Sequence, residues 1–249
     1  MSTGELFQEI YLCPEHSSRP SGVRLGAVLV APALTSVDPC TGRLRGEGLE
    51  AQLRAAFENM ILFLKAGGAG PEHVARVTVF LTDLAERQLL NVVWSELYPD
   101  PNDRPPHKYV PAALPEGVLA TVQVLALPDA PRRVLEIPGL VHQDPMSMGA
   151  VTGNLVTSSR VFAARRVEDA DEHTAMLFKS VETLLRQAGG GLTNLTQVTA
   201  FIGIPRYREN VEKAWRPLVA NMEDPPQLHV LETDLGGNGA PRVEILGLL

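Results

Sequence analysis

The sequence predicts an α+β fold built twice: two successive units, each a mixed sheet with two helices packed on one face. Three observations predict it. The stretch HVARVTVFLTD, His73 to Asp83, recurs as NLTQVTAFIGI, Asn194 to Ile204. At one constant offset of 121, the distance from Val77 to Val198, Thr78 falls on Thr199, Phe80 on Phe201, Phe57 on Phe178, Gly68 on Gly189 and Trp94 on Trp215. That period is a whole domain, far longer than the roughly 20 to 50 residues of a solenoid repeat. With 249 residues, 45% of them hydrophobic, the chain can bury roughly 70 to 75% of its unfolded surface. The repeat divides that core into units at residues 1–128 and 129–249.

In the first unit, LFQEIYL and GAVLVAPAL are short β-rich runs, and VDPCTGRL, Val37 to Leu44, has the proline and glycine of a tight hairpin turn. From Leu49 the apolar residues fall at Leu53, Phe57, Met60 and Leu64. Steps of three and four put them on one helical face, which Gly67-Gly68 ends. The strand ARVTVFL follows, then a helix carrying Leu90, Val93, Trp94 and Leu97 until Pro99. HKYVPAAL and VLATVQVLAL are the last strands, joined by the turn Pro115-Glu116-Gly117. LPDAPRR, Leu127 to Arg133, has the prolines of a linker.

The second unit repeats this plan with RVLEIPGL, NLVTSSRVF, a helix carrying Leu177, Val181 and Leu184 that Gly189-Gly190-Gly191 closes, VTAFIGI, a helix carrying Val211, Trp215 and Leu218, then LHVLETDL and RVEILGL. Gly153 matches Gly26 at an offset of 127, so the first hairpin is six residues longer than its counterpart. Strands such as VTVFL and VQVLAL carry apolar groups on both faces, so the face without helices is expected to pack on another domain or another copy.

A net charge of −7 with pI near 5.4 offers no basic face to a phosphate backbone, which argues against nucleic acid. No run reaches the roughly 18 apolar residues of a membrane helix, and MSTGELFQEIYL lacks the basic flank of a leader. Cys13 and Cys40 are too few and too far apart for a disulfide framework or a thiolate metal site, which points to a reducing cytoplasm. The histidines lack HxH or HExxH spacing, so no metal is expected. AGGAG, AGGG and GGNG lack the Lys-Ser/Thr of a phosphate loop, the first two stand where helices end, and no GxSxG occurs.

The order of elements, VDPCTG, VTVFLTDL, Asn91 and Trp94 on the following helix, and LPEGVLATVQVLAL resemble the Rid (YjgF) superfamily, here in tandem. The resemblance implies chorismate-mutase-like domains, trimers of domains around a pseudo-barrel in a homo-oligomer, and clefts for a small-molecule substrate between adjacent domains. It implies cofactor-free hydrolysis of reactive imino or enamino acids. It also implies an arginine on the penultimate strand to pair bidentately with the substrate carboxylate. RPPHKYV and PPQLHVL depart from that pattern: His107 stands at or beside the arginine position, and Leu228 takes it in the second unit, followed by His229. Arg104 is within reach on the preceding loop.

The acid/base carboxylate implied on the last strand is Glu244 in RVEILGL, with Thr121 as its counterpart in LATVQVL. Hydrocarbon neighbours would raise the pKa of such a group into a useful range; the plainer reading is an edge glutamate in water. His107 and His229 begin strands at matching places and can shuttle a proton or donate to a carbonyl; lone histidines are usually structural. Thr157 and Ser158 match the family's polar pair, where the first unit has Val30 and Ala31, although small hydroxyls also finish strand ends. Asn91, Lys108 and Thr121 complete the substrate-binding candidates, each equally readable as a solvated helix or strand residue.

Three functions follow. One is a cofactor-free enzyme on a labile imine, enamine or β-dicarbonyl compound, by deamination or, with the arginine absent, tautomerisation, dehydration or cyclisation in small-molecule biosynthesis. Another is a noncatalytic ligand-binding or chaperone-like module. The last is RNA cleavage, which the acidic charge opposes.

Overall fold

The computed structural model describes residues 7–165, 167–233, 235 and 239–249. It divides into two compact units, one running to Arg133 and including Asp144–Met146, the other formed by Val134–Gln143 and Ser147–Leu249. The first contains β1 (Phe7–Ile10), β2 (Gly22–Leu25), β3 (Val28–Thr35), α1 (Gly48–Ala66), β4 (Val74–Leu81), α2 (Arg87–Leu97), β5 (His107–Pro111) and β6 (Ala120–Ala126). Its sheet has the order β1-β2-β3-β6-β4-β5. β4 and β5 run parallel and are connected through α2, as a parallel pair requires a crossover. The pairs β1–β2, β2–β3, β3–β6 and β4–β6 are antiparallel.

Strand periodicity sorts this sheet into two faces. Val77, Val79 and Leu81 of β4 and Val122 and Val124 of β6 are fully buried with Phe57, Met60 and Leu64 of α1 and Val93 and Trp94 of α2. Each such large apolar side chain contributes about 1.5–3 kcal/mol on burial. Thr78, Phe80, Gln123 and Leu125 alternate with them and therefore point away from the helices. Two polar residues on the buried side of α1 tie down loops. Gln52 Nε2 donates to Gly117 O at 2.8 Å and its Oε1 accepts from Leu119 N at 2.9 Å. Asn59 Nδ2 donates to Thr35 O at 2.8 Å and Val37 O at 2.9 Å.

The second sheet and its helices comprise β7 (Arg132–Leu135), which begins at the boundary between the units, β8 (Gly149–Thr152), β9 (Leu155–Ser158), α3 (Ala170–Ala188), β10 (Leu195–Ile202), α4 (Tyr207–Val219), β11 (Gln227–Glu232) and β12 (Arg242–Leu248). Its sheet order is β7-β8-β9-β12-β10-β11, with β10 and β11 parallel. The repeat extends to details. Phe57 and Trp94 meet at 5.7 Å between ring centroids, Phe178 and Trp215 at 5.3 Å. β4 is bulged between Val74 and Arg76, and β10 between Leu195 and Gln197. Gly70 N donates to His73 Nδ1 at 2.8 Å, and Gly191 N to Asn194 Oδ1 at 2.9 Å, so His73 has a local structural role. The glycine offset also holds: Gly26 and Gly153 turn β2 into β3 and β8 into β9 at φ of 55° and 61°.

One equivalence escapes sequence patterning. A Cβ added to Gly22 would lie 2.3 Å from Val30 O and 2.5 Å from the Phe63 ring; one added to Gly149 would lie 2.8 Å from Thr157 O and 2.9 Å from Leu184. Both long helices therefore lie against their sheets over a glycine.

The structure adds one strand and corrects one expectation here. Ahead of the first helix lies β2, which hydrophobic alternation does not mark, while Val37–Leu44 closes as the expected tight turn through one antiparallel bridge, with Asp38 N donating to Arg43 O at 2.8 Å and Arg45 N to Ser36 O at 3.1 Å. Asp38 Oδ1 organises that turn, accepting from Cys40 N at 3.0 Å and from Thr41 N at 2.8 Å. Cys13 and Cys40, too few and too far apart in sequence to suggest a disulfide framework, are disulfide-bonded with Cα atoms 5.2 Å apart. Sequence separation misled because the turn after β3 folds back toward the segment after β1. Gly236, Gly237 and Asn238 of GGNG lie outside the described residues. Among the described residues, no helix is long and apolar enough to cross a membrane.

Candidate functional site

The candidate site is a row across the helix-free face of the second sheet, open only in the sense that no helix of its own unit covers it. On β12, Val243 and Ile245 are fully buried and Glu244 points to the other side. Register places Glu244 opposite Thr199 of β10, and Thr199 opposite His229 of β11. Glu244 and Thr199 are each 7% exposed; His229 is exposed. Adjacent strands lie about 4.8 Å apart, so carboxylate and imidazole flank the threonine within about 10 Å. Thr157, fully buried, joins the face opposite Leu246, two residues along β12 from Glu244.

Arg160, Phe201 and Thr199 belong to this face; the sequence marks Phe201 and Thr199 only as repeat matches and does not mark Arg160. The antiparallel bridge between Val161 and Val243 carries Arg160 across from Glu244. The Arg160 guanidinium carbon lies 4.4 Å from the centroid of the Phe201 ring, a cation–π contact, and Arg160 is 9% exposed. Between Thr157 and Arg160 the register slips by one residue, which Ser159 absorbs: its N donates to Met148 O at 3.0 Å and its Oγ to Ser147 O at 2.7 Å. A bulge is invisible to strand alternation, so nothing in NLVTSSRVF marked Arg160.

The first unit carries the matching row with different chemistry: Gln123 opposite Thr78, and Thr78 opposite Lys108. The counterpart of Glu244 is thus Gln123. Thr121 instead faces Phe80, as Arg242 faces Phe201, which corrects the pairing of Thr121 with Glu244. The matching of Thr157 with Val30 holds, since they face Leu246 and Leu125 respectively.

The two histidines do not correspond. His107 is opposite Val77, and the residue opposite Val198 is Leu228. His107 is 1% exposed and packs against Trp94 in a tilted arrangement with ring centroids 4.4 Å apart, beside Tyr98 at 4.6 Å from the same indole. It belongs to the helix-side core, one register position away from the open face. Burial pushes the Tyr98 hydroxyl well above its ordinary range, so it stays protonated as part of this cluster.

The remaining candidates separate. Ser158 Oγ accepts from Ile245 N at 2.9 Å, the strand-finishing role. Asn91 Nδ2 donates to Asp144 Oδ1 at 2.9 Å and Gln88 Oε1 at 3.2 Å on the helix layer. Arg104 Nε is held by Tyr98 O at 3.0 Å in its own loop. Lys108 and Thr121 share the open face of the first sheet, Lys108 half-buried and Thr121 buried.

A mixed six-stranded sheet under two helices, present twice and with a row of acid, hydroxyl and imidazole on one open face, defines the class, and sequence comparison places it. Residues 18–137 match the family described as Endoribonuclease L-PSP. A RutC family protein of Saccharolobus solfataricus is 30% identical over 107 residues, covering 42% of this chain and 82% of that protein. The 2-iminobutanoate/2-iminopropanoate deaminase of Salmonella typhimurium is 28% identical over 108 residues, covering 43% of this chain and 84% of that protein. Among solved structures, RidA from an Antarctic Psychrobacter aligns at TM-score 0.41 and 28% identity, covering 45% of this chain and 89% of that one. The chain belongs to the Rid (YjgF) superfamily, as a tandem member.

Proposed function

We propose that this chain is a cofactor-free enzyme that moves protons on a labile imine, enamine or β-dicarbonyl compound, with Glu244 as the acid/base group. The observation that carries the reading is a carboxylate 7% exposed, in a row with a threonine hydroxyl and an exposed imidazole. A carboxylate held in such a place takes a proton from an attacking water and returns it to the departing nitrogen. For an imine, water adds to the C=N carbon, the carbinolamine collapses, and the products are the carbonyl compound and ammonia. His229 orients or relays at the edge of the row, and Thr199 bridges by its hydroxyl. Relatives named as iminobutanoate/iminopropanoate deaminases support this outcome.

The absence of arginine from β5 and β11 favours a second outcome for substrates without a carboxylate. The same proton transfers then give tautomerisation, dehydration or cyclisation. Catalysis is assigned to the second unit, because Gln123 and Lys108 stand where Glu244 and His229 do. Turnover of freshly generated imines and enamines, with and without a carboxylate, by the wild type and by Glu244→Gln and His229→Ala tests the reading. Loss in Glu244→Gln supports it; undiminished turnover removes the assignment.

A further inference from the structure

Cys13 and Cys40 are the chain's two cysteines, and the second unit, which repeats the rest of the framework, has none. The hydrogen bonds show what their bond fastens. β1 is the edge strand of its sheet, paired with β2 at four positions, and three of its four residues are exposed. The segment after it closes on itself: Ser21 N donates to Ile10 O at 2.8 Å, and Ser17 N to Cys13 O at 2.9 Å. Among the described residues, every hydrogen bond of residues 7–21 ends within residues 7–25. Residues 7–21 thus form a strap along the sheet edge, fastened to the body of the unit by Ile10 and Leu12 against the core and by one covalent bond. The corresponding edge strand β7 has no such bond and buries both its ends instead, Arg132 at 8% and Leu135 at 2% exposure. The far end of the bond is held independently. Arg45 Nη2 donates to Ala55 O at 3.0 Å and to Asn59 Oδ1 at 2.7 Å, and Asn59 Nδ2 donates to the Thr35 and Val37 carbonyls. Opening the bond therefore leaves the turn in place and frees the strap.

We infer that the Cys13–Cys40 bond is a redox latch that keeps β1 on the sheet edge and is opened by a dithiol reductant. Cys40 stands exposed on its turn, whereas Cys13 is 8% exposed. An external thiolate therefore attacks the Cys40 sulfur, and Cys13 leaves as the thiolate. The second thiol of the reductant then displaces Cys40 from the mixed disulfide and gives up its proton. The reductant ends as its own disulfide, Cys13 and Cys40 end as thiols, and two electrons and two protons have passed to the protein. With the strap released, the N–H and C=O groups of β2 that faced β1 lose their partners, and the sheet ends in an open edge. The inference is independent of the chemistry proposed for the second unit.

Hydrogen–deuterium exchange read by mass spectrometry tests it on the full chain in three states: oxidised, treated with dithiothreitol without denaturant, and reoxidised. Dithiothreitol is expected to yield two alkylatable thiols. Exchange at residues 7–21 should then become at least about tenfold faster than in the oxidised protein, with α1, β4 and β6 still protected, and reoxidation should restore the slow pattern. Cys13→Ser with Cys40→Ser, which cannot close the latch, should exchange at residues 7–21 as the reduced protein does. Three results overturn the latch: a bond that dithiothreitol leaves closed in the folded protein, unchanged exchange at residues 7–21 once the thiols appear, or protection of those residues in Cys13→Ser/Cys40→Ser equal to that of the oxidised protein. Loss of protection in α1, β4 and β6 together with the strap also overturns it, and makes the bond a staple of the whole unit.

Discussion

Two histidines near the starts of matching strands have opposite fates, and one position of register decides it. His107 fills space against Trp94 at 4.4 Å, so His107→Ala should cost about 2–4 kcal/mol as a core truncation, read from the urea midpoint, while the folded variant is expected to match the wild type in the proposed imine assay. His229 is exposed, so His229→Ala should change stability by less than about 0.5 kcal/mol and lower kcat. Arg160 offers the test of substrate class. If a carboxylate meets its guanidinium, Arg160→Gln should raise KM for carboxylated imines by roughly ten- to a hundredfold, matching about 1.5–3 kcal/mol for a charge-assisted hydrogen bond, with no such change for carboxylate-free substrates. Glu244 was reached through the family resemblance, and the Val, Ile and Leu around it in RVEILGL fit its burial. Arg160 was not, because the bulge at Ser159 decides where its side chain points.

At the scale of elements, the turn after β3 is held by Asp38, Asn59 and the Cys13–Cys40 bond. The Thr41 backbone N–H, then the Thr41 hydroxyl and the Cys40 N–H, hold the Asp38 carboxyl below its usual range. A carboxyl lowered in the folded state stabilises it above the unfolded pKa near 4, and the benefit fades as pH falls through the folded value. Asp38→Asn should therefore flatten the loss of stability below about pH 4, measured as melting temperature against pH. Asn59→Ala leaves the Thr35 and Val37 carbonyls without their donor and should cost about 1–3 kcal/mol. The bond between Cys13 and Cys40 closes a loop of 27 residues, worth at most about 3–4 kcal/mol by chain entropy. A reductant should lower the urea midpoint accordingly and expose two titratable thiols. Helices and strands were readable from periods of 3.6 and 2, and Gly26 and Gly153 from their offset. β2 was not readable, because GVRL is four residues with no alternation; nor was the disulfide, which depends on how a turn folds back.

Across the whole molecule, duplication followed by divergence explains more than either unit alone. The buried framework, Phe57 with Trp94 and Phe178 with Trp215, was retained, and that is why the repeat could be read from sequence. The open-face row changed from Gln123, Thr78 and Lys108 to Glu244, Thr199 and His229, with only the threonine kept. This asymmetry was partly legible, through Thr157 and Val30. The exact partner of Glu244 required strand register, which composition does not encode. A net charge of −7 bears on the ribonuclease in the family's description: a labelled single-stranded RNA incubated with the protein should remain full-length on a denaturing gel, since an acidic surface repels phosphate.

The measurement closest to the centre is ammonia release from a freshly generated imine by wild type and Glu244→Gln at equal concentration, with melting curves run alongside. The account predicts a fall in kcat of about 10²- to 10⁴-fold in a variant that melts like the wild type. Equal rates of ammonia release by the two proteins would contradict it.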